Sequence, residues 1–231
     1  MTLEELQKRY PDTKPYFETM PEELRSRYTI RTYPPGTIIH QKEFELNYFG
    51  IVCHGDHRVI NEFENGNVFM IEKNEAIDFV GEVTILAGQK RTSVTIETLT
   101  ECVVFMISRA DFEAWIAKDI HFLRLIAEKI AFKLYRSSYN RGAKLFYPPA
   151  FLLLDYLLKF AASQNIEKTG SILLKKTRQE IQEELGMTVK TINRTISRLK
   201  EAGLIDTCKG KITMTLEQYK KSQKEITYYV N

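Results

Sequence analysis

The feature that most limits the folds open to this chain is a change of hydrophobic period at Ser108. Before it, from about Tyr33 to Phe105, short β-branched and aromatic runs recur between turn residues: Thr37 to His40, Tyr48 to Cys53, His57 to Phe63, Val68 to Glu72, Val94 to Glu97 and Cys102 to Ile107. Strands this short and closely spaced predict a β-roll or small barrel. Pro34-Pro35-Gly36, Gly55 and Gly81 punctuate the runs. Glu64-Asn65-Gly66 predicts a tight hairpin, because Asn and Gly tolerate the positive φ such a turn requires.

After Ser108 an apolar row runs Ile116, Ile120, Leu123, Ala127, Ile130, Leu134, Ser137, with spacings of four and three. That is the seam of a coiled coil on one long helix, over about 109–145. A second apolar set, Phe112, Trp115, Phe122 and Ile126, shares the segment. Two apolar faces predict two partners, the roll on one side and a second copy of the helix on the other. Gly142 and Phe146-Tyr147-Pro148-Pro149 end the helix, since proline disfavours helical geometry in the residue before it and suits a first helical turn. The expected domains are therefore 1–145, a roll with its helix, and 146–231. Pro148 to about Ser163 restarts as an apolar helix, and Gln164 to Gly170 reads as a loop.

Thr177-Arg178-Gln179-Glu180 has the form of a capping box, in which the Thr hydroxyl and Glu carboxylate each satisfy an orphan amide. The helix it opens carries Ile181 and Leu185 inward and stops at Gly186-Met187. Thr188 caps a second helix with core positions Ile192, Ile196 and Leu199; Val189, Lys190, Asn193, Arg194 and Ser197 lie on its other face. Capped helix, glycine turn and capped helix form a helix-turn-helix. Leu204-Ile205, Lys209-Gly210-Lys211 and Ile212-Thr213-Met214 then read as a hairpin wing. The fold class expected is α+β. A helix placed this way suits the major groove of duplex DNA: Arg194 can fork onto guanine, Lys190 and Asn193 can reach base edges, and Arg178, Gln179, Thr188 and Thr191 can hold the backbone. A generic helical hairpin with a solvated basic face is the plainer reading of the same spacing.

Composition narrows the classes. Residues 171–231 hold 12 Lys+Arg against 7 Asp+Glu, a balance of +5 on a chain of net +3, so the remainder stands at −2. A basic end on a mildly acidic body permits a polyanionic partner. Cys53, Cys102 and Cys208 are odd in number and form no C-x-x-C pair, which points to a reducing cytoplasm without a disulfide framework or zinc site. The start, MTLEELQKRY, lacks a signal-like apolar stretch, and no run suits a membrane span. No nucleophile, base and orienting residue group by motif, so an enzyme is not expected. His40, His54, His57 and His121 show no metal-ligand spacing.

From about Tyr33 to Met214 the sequence resembles the family of the cyclic AMP receptor protein and the fumarate and nitrate reductase regulator, the Crp–Fnr family. The likeness rests on YPPGTIIHQ, on FVGE followed by KRTS, on the helix from ISRADF onward, and on TRQEI, LG, TVKTINR and LKEAGLI. It implies a homodimeric transcription regulator with an N-terminal effector-binding roll, a dimer helix and a C-terminal winged helix that reads a near-palindromic operator and recruits or blocks RNA polymerase. The recognition helix departs from the cyclic AMP receptor branch, whose base-reading Arg and Glu positions carry Val189 and Lys190 here, while the Arg at 194 is kept. The start of the chain lacks the cysteine cluster with which the oxygen-sensing branch holds iron and sulfur.

Gly81-Glu82 and Arg91-Thr92-Ser93 resemble the phosphate cassette of cyclic-nucleotide domains. Amides near Gly81 and the Arg91 guanidinium can hold a cyclic phosphate, Thr92 can donate to it, and Glu82 can accept a ribose hydroxyl. Ser137 and Ser138 fall where the cyclic AMP receptor places its adenine-contacting hydroxyls. Cyclic AMP or cyclic GMP is thus one candidate effector. The cassette is one residue tighter than in that receptor, and Lys42 and Ile77 replace turn glycines. In the other reading of these residues, Glu82 and Arg91 form a structural ion pair. A rival for the whole chain is a cyclic-nucleotide module acting on a protein partner without DNA.

Overall fold

The computed structural model describes residues 1–229, with the side chains of 139–145 outside the described set. The chain divides into two compact units, Met1–Arg136 and a second from Ser137 onward.

The first unit opens with α1 (Leu3–Arg9), whose Thr2 cap and Glu5 side chain form a capping box, and two 3-10 turns at Pro11–Tyr16 and Glu22–Ser26. Then come β1 (Tyr28–Tyr33), β2 (Ile38–His40), β3 (Tyr48–His54), β4 (Asp56–Glu62), β5 (Val68–Glu75) and β6 (Asp78–Val80). A short α2 (Glu82–Leu86) precedes β7 (Thr95–Thr98) and β8 (Cys102–Ser108), and α3 (Arg109–Ile116) and α4 (Ile120–Phe146) follow. The strands pair antiparallel as two four-stranded sheets, ordered β1-β8-β3-β6 and β2-β7-β4-β5. Every run expected from the sequence is a strand; β1 and the three-residue β6 are additions, the latter too short to show a period. Between β4 and β5, Phe63 N donates to Asn67 O at 2.9 Å and Gly66 sits at φ 78°, so the hairpin turns where Asn65-Gly66 put it.

The expectation of one helix over 109–145 is corrected. Residues 117–119 separate α3 from α4, because the Asp119 carboxylate takes a hydrogen bond from Trp115 Nε1 at 2.8 Å and caps α4 through Phe122 N at 3.0 Å. Ile116 therefore lies on α3, off the helix that carries the rest of the row. At the other end α4 continues past Gly142 to Phe146. Phe112, Trp115, Phe122 and Ile126 are at most 1% exposed and close an aromatic core, with Phe49 on Phe112 and Trp115 on Phe122 stacked at 3.9 Å. Burying a side chain of this size is worth about 2–3 kcal/mol, so these four bind α3 and the start of α4 to the roll. The other face of α4 stays open: Ile120, Leu134 and Tyr135 are 78%, 61% and 81% exposed.

The second unit contains α5 (Pro149–Ser163), α6 (Ile166–Thr169), β9 (Ser171–Leu174), α7 (Arg178–Leu185), α8 (Val189–Glu201), β10 (Asp206–Cys208), β11 (Lys211–Thr215) and α9 (Leu216–Glu225). Its sheet runs β10-β11-β9, so the expected wing gains a third strand. The supposed loop 164–170 holds α6, entered through Asn165 at φ 53° and left through Gly170 at φ 73°. Leu153, Leu154 and Leu157 of α5 pack with Ile181, Ile192, Leu199, Leu204 and Ile212 in one core. Among the described residues no helix is long and apolar enough to cross a membrane.

Candidate functional site

The helix-turn-helix is built by its caps. Thr177 Oγ1 accepts from Glu180 N while the Glu180 carboxylate accepts from Thr177 N, and this reciprocal bonding starts α7. Gly186 ends it in the left-handed region at φ 70°, with its N–H on Gln182 O at 2.8 Å. Thr188 caps α8 by accepting from Thr191 N at 3.2 Å, and Gln182 Oε1 accepts from Val189 N at 3.1 Å. The first turn of α8 is thus fastened to α7. Ile192, Ile196 and Leu199 are buried, which turns Lys190, Asn193, Arg194 and Ser197 outward. Arg178 lies half-buried at the start of α7 and ties three elements together: its Nε donates to Asn193 Oδ1 at 3.1 Å and its Nη2 to Gly210 O at 2.9 Å. Gly210 is the tip of the turn between β10 and β11. Arg178 therefore joins α8 and the wing in one recognition surface, with Lys190, Arg194, Lys209 and Lys211 as cations alongside it.

The roll carries a buried charge cluster against α4. Lys133 Nζ lies 2.8 Å from Asp78 Oδ1 and 3.1 Å from Glu82 Oε1, and His57 Nε2 lies 3.2 Å from Asp78 Oδ2. His57, Asp78 and Glu82 are 1%, 0% and 4% exposed, and His57 Nδ1 makes no hydrogen bond among the described residues. Lys129 Nζ donates to Ile77 O at 2.6 Å, and Arg136 pairs with Glu72. Three cations of α4 thus reach the roll. Burial raises the Asp78 carboxyl, but the imidazole of His57 beside it and the charge of Lys133 outweigh this and hold the group below the usual carboxylate range. Glu82 goes the other way: burial pushes it up, Lys133 only partly offsets this, and the Asp78 charge adds to it. Burial lowers Lys133, but attraction to Glu82 and Asp78 prevails and raises it. One ammonium serves two carboxylates, and Asp78, with His57 as well, is the better served.

Two family descriptions match these two regions, a cyclic nucleotide-binding domain over residues 30–119 and a Crp-like helix-turn-helix domain over 153–218. Between them they cover more than half of the chain, in the order that Crp–Fnr regulators have. The chain belongs to the Crp–Fnr family. It is 26% identical over 194 residues to the cAMP-activated global transcriptional regulator CRP of Salmonella typhimurium, covering 83% of this chain and 92% of that one. Among solved structures it superposes on a Crp/Fnr-family transcriptional regulator from Eubacterium rectale with a TM-score of 0.73, at 18% identity, over 91% of this chain and 98% of that one. It also superposes on the c-di-GMP responsive global regulator CLP of Xanthomonas campestris with a TM-score of 0.71, at 17% identity, over 82% and 95% of the two chains. This Crp–Fnr protein is a DNA-binding transcription regulator with a cyclic nucleotide-binding domain, of α+β fold.

The structure places the residues singled out in the sequence unevenly. In the head, Gln179, Thr188, Lys190, Asn193 and Arg194 are exposed, Val189 and Thr191 are half-buried, and the Thr188 and Thr191 hydroxyls lie 2.9 Å apart. In the roll, Gly81 adopts φ 94° at the entry to α2, where a Cβ would come within 2.9 Å of Leu46 Cδ2, so the position admits only glycine without a shift. The Glu82–Arg91 ion pair is not formed; Glu82 is held by Lys133, and Arg91 lies exposed with a backbone bridge to Glu45. The reason is distance along the fold: α4 brings a cation to Glu82 from the interior, while Arg91 sits on an outward loop. Thr92 is 5% exposed and its hydroxyl closes a turn with Val94. Ser137 is half-buried and Ser138 exposed on α4. Sequence reasoning missed Asp78, Lys133 and the structural role of His57, which no local spacing announces.

Proposed function

We propose that this protein acts as a homodimer, reading a near-palindromic operator in double-stranded DNA through α8 of each subunit under the control of a small effector at the roll. The observation that carries the reading is the outward face of α8, where Lys190, Asn193 and Arg194 stand beside a wing braced by Arg178. Arg194 is assigned to guanine by a bidentate contact, Lys190 and Asn193 to further base edges, Val189 to a methyl or other apolar edge, and Gln179, Thr188, Thr191 and the free donors of Arg178 to phosphates. Pairing is assigned to α4, whose Ile120, Ala127 and Leu134 leave an apolar stripe uncovered by their own roll. A symmetric pair then sets two α8 helices about 34–36 Å apart, one turn of duplex. The protein works without catalysis, in the cytoplasm, and passes its signal to RNA polymerase.

The effector carries an anionic group assigned to Arg91 and the amides beyond Gly81 in the roll. Cyclic AMP and cyclic GMP are the first ligands of that class to try. Its influence on DNA requires different affinity for two arrangements of the dimer. Binding-site selection on random duplexes, repeated with and without each cyclic nucleotide and accompanied by calorimetry, tests the reading. A palindromic consensus with guanine at one position, lost in Arg194→Ala, is the result expected. Failure to retain any duplex at low salt would leave a protein-directed module in its place. Absence of heat and of any change in operator affinity would remove the cyclic nucleotides as effectors.

A further inference from the structure

We infer that Arg178 determines what Asn193 reads, so that the base opposite Asn193 must present hydrogen-bond acceptors, as guanine and thymine do, and adenine is disfavoured there. The inference rests on the assignment of α8 to the major groove. A carboxamide has two faces, a carbonyl oxygen that accepts and an NH2 that donates, and an unconstrained asparagine turns whichever is needed toward its partner. Adenine is the base that uses both at once, its N7 accepting and its N6 donating, which is why a free Asn pairs with it in bidentate fashion.

Here the amide is not free. Arg178 Nε points at it from 3.1 Å. A guanidinium has only donors, so the atom facing it must be the carbonyl oxygen. The same Arg178 is anchored by Nη2 to Gly210 O at 2.9 Å, which fixes the guanidinium from the wing side and keeps it from following a rotating amide. Asn193 itself sits on a helix whose opposite face, Ile192 and Ile196, is buried, so its Cα does not move to compensate. The oxygen keeps a second lone pair, but its direction is set by Arg178, which leaves the NH2 group as the part of the amide presented to a base edge. A pure donor suits guanine N7 and O6 or thymine O4; against adenine it satisfies N7 and leaves the N6 donor unanswered. Two of the five N–H donors of Arg178 are spent inside the protein, and the other three remain for a phosphate. Arg178 is thus a positioning residue for readout as well as a backbone contact, and the two roles are separable by measurement.

The full-length protein is titrated with a set of operators carrying each base at each half-site position. For the native chain, one position is expected to prefer guanine or thymine over adenine by about tenfold. Asn193→Ala should flatten that position alone. Arg178→Ala should lower affinity for all operators and, in addition, move that position toward adenine, because the amide is released. Asn193→Asp keeps the acceptor for Arg178 but loses the donors, and should turn the preference toward cytosine and adenine, which offer an exocyclic amine. Should Arg178→Ala fail to fold, Asn193→Asp, which preserves the bond between the elements, carries the test. A uniform loss in Arg178→Ala with unchanged ranking, or a native preference for adenine opposite Asn193, overturns the inference. If Arg194→Ala still alters ranking elsewhere, that failure is confined to Asn193; if no substitution on α8 alters any ranking, the assignment of α8 to the groove falls with it.

Discussion

Lys133 shows how much a single side chain can carry. With 16% of its side chain exposed, it sits between two carboxylates that have almost no access to water. Ion pairs this deep add little net stability over a well-packed apolar replacement, but removing one partner strands the other charge. Lys133→Ala is expected to destabilise the protein by roughly 3–5 kcal/mol at neutral pH. Equilibrium denaturation should show the deficit shrinking toward acid, as Glu82 and then Asp78 take up protons; a deficit independent of pH would mean that Lys133 contributes only its packing. At this scale the sequence disclosed part of the roll. Glu82 stood out because it follows a glycine in a short motif, whereas its partner lies 51 residues away and Asp78 has no motif at all. The head was more legible because its polar residues act through neighbours: Thr177 with Glu180 and Thr188 with Thr191 are pairs three apart. What sequence did not disclose there is the Arg178–Asn193 bond, across 15 residues and two helices.

Among the elements, α4 has the most divided composition. Phe122 and Ile126 are sealed in the roll while Ile120 and Leu134, on another face, stand in solvent. The heptad row announced both faces but not the interruption at 117–119, because Asp119 is an ordinary helix-surface residue until Trp115 and Phe122 are seen to bond to its carboxylate. If α4 pairs with its copy, Ala127→Lys combined with Leu134→Lys should convert the dimer to monomer in sedimentation at micromolar concentration. Operator affinity should then fall more than tenfold while thermal stability of the roll is kept, since neither side chain belongs to its core. A dimer that survives both lysines would place the contact elsewhere. On α7, Thr177→Ala removes one capping hydrogen bond and leaves the Glu180 carboxylate without its hydroxyl partner. A loss of about 1 kcal/mol in denaturant titration, with base ranking unchanged, is the outcome expected of a cap.

For the molecule as a whole, the buried cluster gives stability a pH profile whose sign can be worked out. Asp78 titrates below its ordinary 3.8 in the folded chain, so its contribution is complete above that value and is lost as pH falls through the folded pKa. Glu82 titrates above its ordinary 4.5; the folded chain binds that proton more tightly, and stability rises as pH falls through the folded pKa toward 4.5. Lys133 titrates above 10.5, so its contribution is complete below that value and is lost in stronger alkali. Relative to Glu82→Gln, the native protein should therefore gain stability on acidification, measured by urea unfolding from pH 8 down to about pH 4.5. An equal response of the two would refute the sign given to Glu82. The sequence by itself determined everything that depends on neighbours in the chain: the strand-rich first part, the switch to helical period at Ser108, the caps that start α7 and α8, and the family those patterns spell. Only the tertiary structure decided which distant side chains meet, Lys133 with Asp78 and Glu82, Arg178 with Asn193 and Gly210, and the order β1-β8-β3-β6. Period and capping are set by φ, ψ and contacts within a few residues, whereas those pairings exist only after the chain has closed loops of tens of residues, and no local pattern encodes which loop closes on which.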